Sequence, residues 1–145
     1  MEMARLVASW SKDPSSQVGA VITRGKFVVS VGFNGFPQRI ADSPERLENR
    51  DIKYPTILHA EINAILSARQ DIRGCVLYVT PYMPCPQCAA AIVQSGIARI
   101  VYEPSENERW GRPPLSEAMF GEAEIEMTLL SSDSGKAGIL RADTE

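Results

Sequence analysis

The chain is poor in the residues that usually carry chemistry. Histidine occurs once and cysteine three times in 145 residues. One histidine leaves none spare for a second, purely structural metal site of mixed ligands. Three cysteines, two of them in a C-x-x-C, fit a reducing compartment better than a disulfide framework. No apolar run approaches the roughly 18 residues needed to span a membrane, and no secretory signal is visible. Basic residues are not in excess: the formal charge is −3. That argues against a sequence-independent grip on nucleic acid, which needs a basic face. What remains is ordinary for a soluble protein, with 44% hydrophobic and 23% charged residues,. The length suits one domain with a full core.

Periodicity supplies the elements. Met1, Ala4, Val7 and Ala8 recur at helical spacing and predict an opening helix. Ser11-Lys12-Asp13-Pro14-Ser15-Ser16 is turn chemistry and ends it. Val18 to Thr23 and Lys26 to Phe33 are β-branched and aromatic, with Arg24-Gly25 between them, so a hairpin is expected. Asn34-Gly35-Phe36-Pro37 stops the second strand. A long polar stretch from Gln38 to about Pro55 reads either as a functional loop or as a solvated excursion with a helical turn at Glu45 to Asn49.

Leu58 to Arg69 then carries Ile62, Ile65 and Leu66 as the stripe of an amphipathic helix. Cys75 to Thr80 is a compact apolar strand. Pro86 to Ser95 is a helix with proline in its first turn and Gly96 as its cap. Arg99 to Tyr102 is a short strand, Glu103 to Pro114 a polar loop, Leu115 to Phe120 a short helix, and Glu124 to Leu130 a last strand. The order α-β-β-α-β-α-β-α-β predicts a three-layer α/β/α sandwich around a mixed five-stranded sheet. Residues 1–130 are expected to form the domain and 131–145 a polar tail.

The scarce residues are not scattered. The single histidine stands in His59-Ala60-Glu61, and two cysteines in Pro84-Cys85-Pro86-Gln87-Cys88. Each motif falls at a predicted helix start. Cys85 and Cys88 are three apart, so one helical turn presents both sulfurs to one ion. One imidazole and two thiolates give zinc three ligands and leave a tetrahedral position open, the catalytic rather than the structural pattern. Cys75 could close the site only by leaving its apolar strand. His-x-Glu with Pro-Cys-x-x-Cys is the pattern of zinc-dependent nucleobase deaminases, with the glutamate moving protons.

The likeness extends beyond these ligands. Ser11-Lys12-Asp13-Pro14-Ser15-Ser16-Gln17-Val18-Gly19-Ala20-Val21-Ile22, Val31-Gly32-Phe33-Asn34-Gly35-Phe36-Pro37, and Lys53-Tyr54-Pro55 ahead of His59-Ala60-Glu61-Ile62-Asn63-Ala64-Ile65 resemble the deoxycytidylate (dCMP) deaminase family over roughly residues 4–130. The resemblance implies a cytidine deaminase-like sandwich and hydrolysis of dCMP to dUMP and ammonia. His59, Cys85 and Cys88 would hold Zn2+, zinc-bound hydroxide would attack cytosine C4, and Glu61 would shuttle protons. Asn34 would hold sugar or base. Lys12 and Lys53, with Arg50, are candidates for the 5′-phosphate; Tyr82 and Ala60 complete the substrate-binding set.

The resemblance further implies a cytoplasmic homo-oligomer, a hexamer in many relatives, with allosteric control by dCTP or dTTP and Mg2+. No nucleic acid or membrane partner is expected. Other readings stay open at this level: a deaminase of 5-substituted dCMP, dCTP, cytidine or tRNA adenosine, or a non-catalytic zinc-stabilised nucleotide sensor.

Overall fold

The computed structural model describes residues 1–104, 113–130 and 138–140. The expected loop from Glu103 to Pro114 and the tail therefore lie largely outside the described residues. The chain opens with helix α1 (Glu2–Ala8), followed by strands β1 (Gly19–Arg24) and β2 (Phe27–Phe33). The expected hairpin forms, turning through Gly25 at φ 57°. Two short helices follow, α2 (Pro44–Glu48) and α3 (Arg50–Thr56). Helix α4 (Ala60–Ser67), strand β3 (Val76–Thr80), helix α5 (Pro86–Ser95) and strand β4 (Arg99–Tyr102) come next. Helix α6 (Pro114–Glu122) and strand β5 (Glu126–Leu129) complete the expected set.

The strands form one sheet in the order β2-β1-β3-β4-β5-β6, where β6 is Gly138–Leu140. The five expected strands are all present. The sixth comes from the segment read as a polar tail and pairs antiparallel with β5. β1 runs antiparallel to both β2 and β3, while β3, β4 and β5 are mutually parallel. The sheet is therefore mixed. Its parallel part is built from the β3-α5-β4 and β4-α6-β5 crossovers, which short tight turns could not supply.

The main core lies between the sheet and helices α4, α5 and α6. Ile22, Leu77, Ile92, Ile100 and Phe120 are fully buried there. Removing each from water contributes about 1.5–3 kcal/mol before entropy is charged against it. Because strand residues alternate, Ala20 and Ile22 face this core while Val21 points the other way,. On that second face Val21 packs on Ala4 and Val7 of α1. No described helix is long and apolar enough to cross a membrane.

The segment 38–55 holds more helix than its composition suggests. Ser43 caps α2 by accepting from the Arg46 amide, and Asn49 caps α3 by accepting from the Asp51 amide,. Only Lys53 of α3 is buried. An amphipathic stripe is absent, which is why periodicity does not reveal this helix.

Candidate active site

The metal motif is assembled from two helix starts. His59 is the N-cap residue of α4, and Cys85 is the N-cap residue of α5. Pro86 occupies the first turn of α5, where a missing N–H costs nothing,. Cys88 lies one turn on and is buried, Cys85 is half-buried and His59 is exposed. The Nδ1 of His59 stands 3.5 Å from Cys85 Sγ and 3.3 Å from Cys88 Sγ. All three donor atoms lie within 4.8 Å of one another.

These distances fit zinc. Bonds of about 2.3 Å to sulfur and about 2.0–2.1 Å to nitrogen at tetrahedral angles place N and S roughly 3.5 Å apart. The electrostatics fit as well. The hydrogen bond from Cys88 holds the Cys85 thiol down at about 4, against burial and with help from His59. The same hydrogen bond, with burial, pushes Cys88 up. His59 is raised, first through its bond to Cys85. Two adjacent thiolates repel, so without a cation the group keeps protons that a divalent ion would replace. Both helix N-termini reinforce the preference for anionic ligands here.

Glu61 follows His59 by two residues and is 4% exposed. Burial is the main cause that raises its pKa, and it shares a hydrogen bond with Cys88. A carboxyl that keeps its proton to higher pH than usual, beside a three-donor centre, suits proton transfer. His59, Glu61, Cys85 and Cys88 are thus brought together as their spacing predicts. Ala60, the first residue of α4, stands between the first two in sequence and is wholly buried. Tyr82 is half-buried on the segment joining β3 to α5, next to buried Met83 and after a cis Thr80–Pro81 bond.

Of the remaining candidates, Asn34 and Lys53 share a polar knot with Asp13, and Lys12 and Arg50 lie outside it. Asn34 is 6% exposed, and its amide is engaged within the protein. Its Oδ1 accepts from the Val18 amide at 2.8 Å, and its Nδ2 donates to the Ser16 carbonyl at 2.8 Å and to Asp13 at 3.4 Å. Lys53 is buried and donates to Asp13 at 3.1 Å and to Ser15 at 3.5 Å. Lys12, by contrast, is exposed and pairs with Asp42 at 3.1 Å. Arg50 is exposed at the start of α3.

Asp13 is the member that sequence reasoning passed over. Its turn context, Lys-Asp-Pro-Ser-Ser, was the available signal, but its partner lies 40 residues away. A separate cavity of about 290 Å³ opens beside β2, lined by Lys12, Phe33, Asn34, Arg39, Leu47 and Asn63 among others. None of the three metal-donor residues lines it.

Among the described residues, three protein donors with a buried acid beside them fit a hydrolytic zinc centre rather than a closed structural one,. A metal-dependent hydrolase on an α/β/α sheet is therefore the class that fold and site define. The profile of the family described as "Cytidine and deoxycytidylate deaminase zinc-binding region" matches residues 1–103. An uncharacterized deaminase of Aliivibrio fischeri is 52% identical over 137 residues, covering 91% of each chain. The deoxycytidylate deaminase of Mus musculus is 46% identical over 110 residues, 70% of this chain and 61% of that protein. Against the mouse protein the chain thus accounts for less than two thirds of the length. The dCMP deaminase of cyanophage S-TIM5, solved with dCMP and dUMP, superimposes with a TM-score of 0.75 at 25% identity, covering 89% of this chain and 92% of that one. The chain belongs to the cytidine and deoxycytidylate deaminase family, whose domain is zinc-binding.

Proposed function

We propose that this chain hydrolyses dCMP to dUMP and ammonia. The observation that carries the reading is the His59, Cys85 and Cys88 donor group with buried Glu61 beside it. The family match and the substrates named for its relatives narrow the class to cytosine deoxynucleotides. When bound, zinc supplies a Lewis acid that lowers the pKa of water from about 15.7 toward 7.

The chain's own residues do the rest. Glu61 accepts one proton of the attacking water and delivers it to ring N3, then takes the second from the new C4 hydroxyl and delivers it to the departing amine. A C–O bond forms at cytosine C4, the exocyclic C–N bond breaks, and ammonia leaves. Burial suits Glu61 to this traffic, because it raises the carboxyl above its ordinary pKa and so favours uptake of a proton,.

For the substrate, Lys12 is the exposed cation nearest in sequence to the polar knot and is our first candidate for the 5′-phosphate. Lys53 is the second, sharing its charge with Asp13. Asn34 would meet sugar or base through the second lone pair of its Oδ1, and Tyr82 and Ala60 would wall the base. Control by dCTP or dTTP with Mg2+, assembly into a homohexamer and a cytoplasmic location extend the same reading. So does the treatment of 1–130 as the catalytic unit.

The test is a direct assay of zinc-loaded protein with dCMP, beside cytidine, dCTP, 5-methyl-dCMP and a tRNA anticodon stem. Preference for dCMP supports the proposal; turnover of another substrate alone overturns the substrate and keeps the chemistry. Glu61→Ala should lower kcat by about 10²–10⁴-fold while zinc content stays at one per chain. Nucleotide binding without turnover in the parent protein would instead identify a sensor.

A further inference from the structure

Two glycines let a helix touch the sheet backbone to backbone, one on each face. At Gly19 a Cβ would lie 2.1 Å from the Ala4 carbonyl oxygen and 2.5 Å from the Ala8 amide nitrogen of α1. At Gly32 it would lie 2.3 Å from the Ala60 carbonyl oxygen and 2.3 Å from the Ala64 amide nitrogen of α4. The two contacts are alike sterically and unlike in what they carry. Helix α1 bears none of the metal-group residues. Ala60 sits between His59 and Glu61.

Strand β2 holds α4 by more than this contact. Ser30 is buried, lies on the same face of the strand as Gly32, and donates from its hydroxyl to the Ala64 carbonyl at 2.7 Å,. Asn63 donates from its amide to the Phe33 carbonyl at 2.7 Å. Beyond the strand, Gly35 and Leu58 exchange backbone hydrogen bonds at 3.1 and 2.9 Å, immediately before His59. Successive points of this edge strand and of the residues just after it therefore grip the first half of the helix and its entry. The cysteines stand on a different helix, α5, so their distance from His59 is set by how α4 and α5 seat on the sheet and against each other.

We propose that Gly32 and Ser30 are positioning residues for the metal centre. They set the height and roll of α4 on the sheet, and through it the aim of His59 Nδ1 and of the Glu61 carboxylate toward Cys85 and Cys88. This rests on the deaminase reading of His59 and Glu61. A methyl group at residue 32 pushes the first turn of α4 outward by about 1 Å, since packed backbone has no slack to absorb it. A misplacement of that size costs on the order of 10²-fold in rate.

The test compares Gly32→Ala, Ser30→Ala and Gly19→Ala in the full chain, each loaded with Zn2+ or with Co2+. Three readings are taken: the melting temperature, the visible spectrum of the Co2+ form with the rate at which a chelator withdraws Zn2+, and kcat with KM on dCMP. Both glycine variants should melt lower. Of the two, Gly32→Ala alone should change the Co2+ spectrum, release zinc faster and lose about 100-fold in kcat with KM within about threefold. Ser30→Ala should shift the same readings in the same direction, by less.

An unchanged Co2+ spectrum and zinc-release rate in folded Gly32→Ala overturns the proposal, as does the same change in Gly19→Ala. If Gly32→Ala does not fold, Ser30→Ala decides: parental spectrum and zinc release overturn it. The spectrum and zinc release do not depend on the substrate. Inactivity of the parent on dCMP would therefore sink the substrate assignment without touching this inference.

Discussion

At Lys53 a cation is held almost wholly out of water, and it is tolerated because Asp13 meets it at 3.1 Å. Both side chains are 6% exposed, so neither charge can fall back on solvent. Ser15 accepts a further hydrogen bond from Lys53, and the Tyr54 ring lies 5.9 Å from its Nζ. Breaking such a pair leaves an uncompensated buried charge, whereas replacing both members is far milder. Lys53→Met should therefore cost about 3–5 kcal/mol in urea unfolding. The double variant Lys53→Met with Asp13→Asn should recover more than half of that loss. Equal instability of the single and double variants would show that the pair does not hold α3 to the Ser11–Ser16 turn. The lysine itself was evident in the sequence as a candidate for phosphate. Its burial was not, because nothing near residue 53 names a partner at residue 13.

Among the elements, those with an apolar stripe or a terminal signal were legible and those held by polar clips were not. Pro86 at the start and Gly96 at the end bound α5 as expected, with Gly96 at φ 77° in the left-handed region,. Helix α3 escaped because its single buried side chain is a lysine and Pro55 lies inside it. Helix α1 is also clipped at its polar side. Arg5 donates to Glu103 beyond the end of β4, and Thr80 at the end of β3 donates to the same carboxylate.

Burial pushes the Glu103 carboxyl up, but hydrogen bonds from Arg5 and Thr80 and the Arg5 charge outweigh it and leave it below its ordinary value. A depressed carboxyl stabilises the fold at pH above its unfolded value, and the contribution is lost as pH falls through the folded value. Glu103→Gln should thus melt a few degrees below the parent at pH 7, at most about 3 °C given how exposed Arg5 is,. The gap should close as pH is lowered from about 5 to 3. A gap that stays constant across that range would mean the carboxylate's charge is not what clips α1.

The whole molecule turns on a sheet that sequence order only partly reveals. Five strands were visible as apolar runs, while β6 has three residues and finds its place by pairing with β5. Three residues are too few for an alternating pattern to show in the sequence, and their place follows from what the edge of the folded sheet offers. Treating residues 1–130 as the catalytic unit leads to a testable expectation. A chain ending at Leu130 should fold, bind one zinc and keep kcat within about threefold. It should melt about 2–4 °C lower, for the exposed edge of β5. Loss of zinc binding on truncation would assign the C-terminal segment to the site.

By itself, the sequence determined the chemistry: one histidine, one C-x-x-C and the glutamate two residues from that histidine, each at a helix start. Those relations are local, set by a helical turn that backbone geometry fixes over three or four residues. Only the tertiary structure decided how the two halves meet. His59 reaches within 3.5 Å of the cysteines because α4 and α5 lie on one face of the sheet, with α4 seated on β2. It also decided that Asn34 and Lys53 are bound within the protein while Lys12 stays in water. Burial and partnership are properties of the packed chain, formed between residues far apart in sequence, and no local pattern encodes them.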